Sequence, residues 1–235
     1  MTEQGTSNGS FIEKYMTPIA VLLGAIIIAG AFAFGRPDAN QEAQPGAPVA
    51  VDIKDVKTEG SPFIGNPSAP VTMAVWFDYQ CPFCKQFELT TVSQLYSEYV
   101  ETGKLRIVFK DFQFLGPDSE TAALFARAMW EAYPDRWYDW YRAMTEAQDE
   151  EHGGFGDLAS IKTLTEGLGG IDVARVEALM NQKEAEYRAA IEADRAEGSA
   201  LGIQGTPGAI IGTDLIAGAY PYDTVKPLIE AQLAQ

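Results

Sequence analysis

The chain has two cysteines, Cys81 and Cys84, and both stand where an apolar run gives way to a helical pattern. Val71 to Phe77 is mostly apolar and bounded by Pro70 and Asp78, which predicts a buried strand. After Pro82, the apolar residues Phe83, Phe87, Val92, Leu95, Tyr99 and Val100 recur near helical spacing, with Gly103 as the expected stop. Leu105 to Phe109 predicts a second strand. Strand, helix and strand in this order imply a parallel pair joined by a right-handed crossover. The cysteines then fall at the mouth of the crossover helix.

That position carries chemistry. Unpaired backbone N–H groups and the helix dipole favour a thiolate at a helix N-terminus, and the thiolate is the attacking species in disulfide exchange. Pro82 suits the first helical turn, where its missing N–H costs nothing. Two intervening residues bring Cys84 round to meet Cys81, so a mixed disulfide at one sulfur is resolved by the other. Three other uses of the pair fit less well. A structural zinc site needs four ligands, and the chain adds to its cysteines a single histidine, His152, among Asp149, Glu150, Glu151 and Gly153 in what reads as a solvated loop. No metal is expected. A structural disulfide across two residues would close a tiny loop and remove little unfolded-state entropy. Inert buried thiols would need neither a helix start nor an intervening proline.

Of the 235 residues 46% are hydrophobic and 21% charged, so most of the chain is expected to fold as one domain or one domain with an insertion. Its formal net charge of −16 repels phosphate backbones and argues against a nucleic-acid partner. From Ser119 to about Gly198 the pattern turns helical, with Ser119 and Asp172 as expected N-caps and Gly169 and Gly198 as expected stops. Trp130, Trp137, Trp140 and Tyr141 in this stretch read as core packing. Farther on, Ala209 to Ile211 and Leu215 to Ala217 flank Gly212-Thr213-Asp214 and predict an antiparallel hairpin, and Asp223 is the expected cap of a closing helix to Leu233.

Residues 16–35 run without a charge between Lys14 and Arg36, a length that spans about 30 Å as a helix and matches a bilayer's hydrocarbon core. Ala31-Phe32-Ala33 has the form of a signal-peptide cleavage site, but the net negative start argues for a retained anchor. The expected organisation is a cytoplasmic N-terminus over residues 1–15, a transmembrane anchor over 16–35, a Pro- and Ala-rich linker over 36–57, and a domain over 58–235 with a helical insertion at about 117–200.

Two motifs together give a specific resemblance. Gly65-Asn66-Pro67-Ser68-Ala69-Pro70-Val71-Thr72, followed by Phe77-Asp78-Tyr79-Gln80-Cys81-Pro82-Phe83-Cys84, resembles the entry strand and active-site helix of the DsbA-like branch of the thioredoxin superfamily. Leu201-Gly202-Ile203-Gln204-Gly205-Thr206-Pro207 resembles that branch's second hallmark, a loop with a cis proline preceded by threonine. The likeness covers residues from about 58 to 235 and implies an α/β, thioredoxin-like fold with a helical insertion. It implies Cys81 and Cys84 as catalytic residues, with Pro82 and Phe83 in support, and Thr206 and Pro207 as the substrate-binding loop. Glu88, seven positions after Cys81, reads either as a proton relay beneath the pair, together with Lys110, or as a surface carboxylate. Phe83 stands where the strongest oxidants of the branch hold histidine, and Val75 where many relatives carry an acid. A weaker oxidant is the expectation.

The function implied is that of a thiol–disulfide oxidoreductase whose redox group is the Cys81–Cys84 disulfide, with no other cofactor. Its partners would be client proteins with thiols or disulfides and a membrane redox protein, either a quinone-linked oxidase or a thiol reductase. Disulfide formation belongs outside the cytoplasm, so the domain is expected on the exterior of a cell membrane, held by a single pass. Reductase or isomerase action by the same pair, and a tethered binding or chaperone module without redox turnover, stay open.

Overall fold

The computed structural model describes residues 51–150 and 153–235. The proposed anchor, the residues before it, the linker up to residue 50 and His152 lie outside the described residues. Among the described residues no helix is long and apolar enough to cross a membrane.

Five strands form one sheet in the order β1-β3-β2-β4-β5: β1 (Phe63–Ile64), β2 (Val71–Phe77), β3 (Leu105–Asp111), β4 (Gly208–Ile211) and β5 (Asp214–Ala217). The expected parallel pair is present, with β2 against β3 from Val71 opposite Leu105 to Phe77 opposite Asp111. The connecting helix α1 opens with Pro82–Phe87 and runs on through two π-helical turns, Glu88–Val92 and Tyr96–Val100. The hairpin of β4 and β5 turns through Gly212 and Thr213, with Gly212 in the left-handed region at φ 57°.

Period-two alternation divides the sheet into two faces. Val71, Met73, Val75 and Phe77 of β2, with Leu105, Ile107 and Phe109 of β3, point into the main core beside Trp137, Trp140 and Tyr141. The four aromatics expected to be packing residues do pack here, Trp130 at its margin. Ala74, Trp76 and Ile210 point to the other face, where Val51, Val56, Phe112 and Ile203 cover them. The linker expected to reach residue 57 therefore ends earlier, because Val51 and Val56 are buried on this face and the Ile53 N–H donates to the Gly212 carbonyl at 2.7 Å.

The insertion consists of α2 (Pro117–Ala132), α3 (Pro134–Ala147), α4 (Leu158–Gly167), α5 (Val173–Gln182) and α6 (Glu184–Ala200). Asp172 caps α5 as expected, accepting from the Arg175 N–H. Three other expectations are corrected. Ser119 is not a cap, since α2 begins two residues earlier behind Gly116 and the Ser119 hydroxyl is spent on Asp78. Asp223 lies in the first turn of the closing helix α7 (Tyr222–Leu233), which is capped by Pro221. Gly198 does not stop α6: it is buried inside it, where the Trp76 ring lies so close that a Cβ would sit 2.6 Å from the indole nitrogen.

A buried ionic network joins the sheet to the insertion. Lys110 pairs with Asp194 at 2.5 Å and Glu197 at 3.0 Å, while Arg127 joins Asp111 at 2.7 Å and Asp194. Strand β3 and helices α2 and α6 are thereby fastened together by side chains that would be costly to leave unpaired.

An alanine inside a helix ordinarily stabilises relative to glycine by up to about 1 kcal/mol. Gly198→Ala is expected to do the opposite, lowering stability by about 1–3 kcal/mol through overpacking against Trp76. The urea midpoint checks this, and an unchanged or raised midpoint would refute the packing account.

Candidate active site

Cys81 is the residue before α1 and takes extended backbone angles, φ −79° and ψ 117°, with Pro82 following at the first helical position. Its carbonyl accepts the N–H groups of Cys84 at 3.0 Å and Lys85 at 3.2 Å, which starts the helix. Both cysteines are buried. Phe83 between them in sequence is 60% exposed, so its aromatic ring stands in solvent.

The Thr206–Pro207 peptide bond is cis, as the second motif leads one to expect. The Thr206 carbonyl accepts from the Cys81 thiol at 3.3 Å, so residues 125 positions apart in sequence meet at the sulfur. A groove of about 290 Å³ borders this loop, lined by Ile203, Gln204, Thr206, Pro207 and, from β5, Leu215 and Ile216.

The two sulfurs differ in acidity. A hydrogen bond from the Cys84 thiol lowers Cys81 to about 6 against the opposing effect of burial, helped by the Thr206 side chain and by the N–H groups of Cys84 and Phe83. Burial pushes Cys84 well up, and the neighbouring Cys81 adds to this, while the Asp78 backbone and Thr206 offset it in part. One sulfur is thus suited to attack and the other to remain a protonated reserve.

Sequence reasoning left Glu88 between two readings, and its position favours neither as stated. It is buried, not on the surface, and its Oε1 accepts from the Tyr138 hydroxyl at 2.8 Å. Burial raises its pKa to about 7, against the Tyr138 hydrogen bond and the Arg142 charge. Lys110 is not its partner. Tyr138 packs on the Phe109 side of the sheet, whereas Lys110 is held on the Trp76 side by Asp194, Glu197 and the Lys57 carbonyl. Adjacent residues of a strand face opposite ways, which separates the two.

Sequence reasoning missed Asp78 and Gln80 as site residues. Both are buried in the turn that joins β2 to Cys81. Asp78 accepts four hydrogen bonds, and the Gln80 amide donates to the Phe155 carbonyl at 2.8 Å. A signal was available: two polar residues between an apolar strand and the first cysteine. Lys85 was missed as well; its ammonium caps the end of α3 at the Glu146 and Gln148 carbonyls.

A protein-family model described as Thioredoxin matches residues 57–231. Disulfide bond formation protein D of Bacillus subtilis (strain 168) is 28% identical over 182 residues, which cover 74% of this chain and 78% of that protein. Among solved structures, the thiol-disulfide exchange protein alpha-DsbA2 from Wolbachia pipientis superposes with a TM-score of 0.67 at 25% identity, covering 76% of this chain and 90% of its own. Oxidised BdbD from Bacillus subtilis shares the fold, with a TM-score of 0.71 at 24% identity over 80% of this chain and 98% of its own.

The raised Glu88 pKa makes stability depend on pH. A carboxyl that holds its proton more tightly when folded stabilises fully below its unfolded value near 4.5, and that contribution is lost as pH rises to about 7. Glu88→Gln, which keeps an acceptor for Tyr138 and cannot ionise, is expected to remove a loss on the order of 3 kcal/mol between those limits. Denaturant unfolding from pH 4 to 8 measures it, and parallel curves for the two proteins would contradict the assignment.

Proposed function

The chain belongs to the thioredoxin family and is a thiol–disulfide oxidoreductase, and we propose that it introduces disulfides into client proteins through Cys81 and Cys84. The observation that carries this reading is the unequal pair at a helix start: an acidic Cys81 against the cis-proline loop, backed by a shielded Cys84. In the oxidised protein a client thiolate attacks the Cys81 sulfur. The client–Cys81 bond forms, the Cys81–Cys84 bond breaks, and Cys84 leaves with the electron pair. A second client thiolate then attacks the client sulfur of the mixed disulfide, the client leaves oxidised, and Cys81 departs as the favoured thiolate. Two electrons have passed from client to enzyme.

A low Cys81 pKa favours the reduced enzyme and so makes its disulfide oxidising. The lack of a cation at Phe83 limits this, so the potential is expected between that of thioredoxin, roughly −270 mV, and that of the strongest oxidant of the fold, roughly −120 mV. In this reading Thr206 and Pro207 hold an extended client segment along the adjoining groove, and Pro82 and Phe83 shape the approach to Cys81. Glu88, one turn beyond Cys84, takes or returns the Cys84 proton, its affinity being matched to neutral pH. Residues 16–35 serve as a single-pass anchor, with residues 1–15 inside and the domain outside the cytoplasm, and re-oxidation falls to a quinone-linked membrane protein. Tethering beside that partner raises its effective concentration.

Cys84→Ser is expected to accumulate client proteins linked through Cys81, visible as reductant-sensitive bands on gels. Full client processing without such adducts would favour a binding module instead. For the wild-type reduced protein, the rate of attack on a small disulfide should rise about tenfold per pH unit below 6 and level off above it, because the thiolate fraction saturates there. A profile that keeps rising to pH 9 would mean an ordinary thiol and sink the proposal.

A further inference from the structure

Large apolar side chains left in water near a reactive group mark a surface that something else covers. Leu215 is one, and it lines the groove beside Thr206 and Pro207. Phe114, 49% exposed, is another. It belongs to a second hollow of about 410 Å³, which shares Ile203 and Gln204 with that groove and is completed by Phe112 and by Arg195 and Ser199 of α6. Both walls of this hollow lead to the reactive sulfur. The Phe114 N–H donates to the Asp78 carboxylate at 2.8 Å, and the Asp78 carbonyl accepts from the Cys81 N–H at 3.1 Å. On the opposite wall, Gln204 stands two residues before Thr206, whose carbonyl lies 3.3 Å from the Cys81 sulfur.

Arg195 also borders a third hollow, of about 230 Å³, which Gln113, Leu124 and Ile191 line with it. Gln113 is 4% exposed. Its amide nitrogen donates to the Asp111 carboxylate at 3.2 Å and the Phe77 carbonyl at 3.4 Å, two groups that only accept, so the amide is fixed in this orientation. Its Oε1 is left buried with no donor among the described residues. Such an acceptor costs free energy until a donor reaches it.

We propose that these two hollows form a client subsite beside the Thr206–Pro207 groove, taking an extended segment that sets a large apolar side chain against Phe112 and Phe114 and a main-chain N–H on Gln113 Oε1. This deepens the reading of Cys81 and Cys84 as a redox pair acting on client proteins, and rests on it. The occupant follows from the lining. Covering Phe114 with an apolar client side chain removes the surface of both from water. A peptide main chain brings the donor that Gln113 lacks, and its carbonyls accept from the Arg195 guanidinium. Contacts here hold the client while its cysteine meets Cys81, so they govern which cysteine reacts.

The test measures how fast peptide thiols open the oxidised full chain. Short peptides with one cysteine carry leucine or alanine at each flanking position in turn. At one position leucine is expected to react about tenfold faster than alanine, the worth of roughly half-burying such a side chain. Phe114→Ala, which removes the wall, and Ser199→Trp, which fills the hollow, are expected to bring that ratio close to one. Leu215→Ala, in the neighbouring groove, should keep it. N-methylation of the peptide, one residue at a time, is expected to cost about tenfold at the position whose N–H meets Gln113. Absence of any leucine preference, or a preference that both Phe114→Ala and Ser199→Trp retain, overturns the proposal. An oxidised protein that no thiol opens overturns the redox reading instead. In that case the Kd values of the same peptides with serine for cysteine, compared between wild type and Phe114→Ala, still judge the subsite.

Discussion

The parallel pairing of β2 with β3 is the constraint on which the site depends. Seven residues of each strand lie in register and nearly all are buried, so neither strand can slip without turning its core side chains to the opposite face. The pairing brings both strands to their C-terminal ends together, at Phe77 and Asp111. Beyond that end β2 can only reverse into a helix, and Cys81 occupies the reversal. Open sheets with parallel strands carry their reactive groups at this end for the same reason.

The two faces of the sheet treat buried charge differently. On the Trp76 face, Lys110 has the Asp194 carboxylate as its close partner, and Asp194 also holds Arg127. On the Phe109 face, Glu88 has a phenol for its partner, and the charged form is disfavoured enough that the proton is held near neutrality. The first arrangement serves attachment of the insertion to the sheet. The second leaves a buried carboxyl that titrates near neutral pH, four residues beyond Cys84 in the same helix.

Strands β2 and β3, helix α1, the hairpin, the Asp172 cap and the cysteine pair could be read along the chain, since each depends on neighbours within a few residues. The helical insertion was also legible in outline. Errors fell where a residue's role is set by something far away. Ser119 has the look of a cap, and Asp78, 41 positions earlier, claims its hydroxyl. Gly198 has the look of a stop, yet it is the gap into which Trp76 fits, with the indole N–H donating to the Asp194 carbonyl 118 positions away. Glu88 has the composition of a surface residue, and only the packing of α3 over it encloses it.

The order of the residues by itself decided that a reactive pair would sit at the start of a helix, because strand period, helix period and the proline between the cysteines are all local. It decided through two motifs which fold would carry that pair. What only the tertiary structure decided is the state of each group there: how far the two sulfurs differ in acidity, where Glu88 holds its proton, and what steadies the turn at Asp78. Those properties come from burial and from hydrogen-bond partners contributed by distant segments, and periodicity carries no record of either.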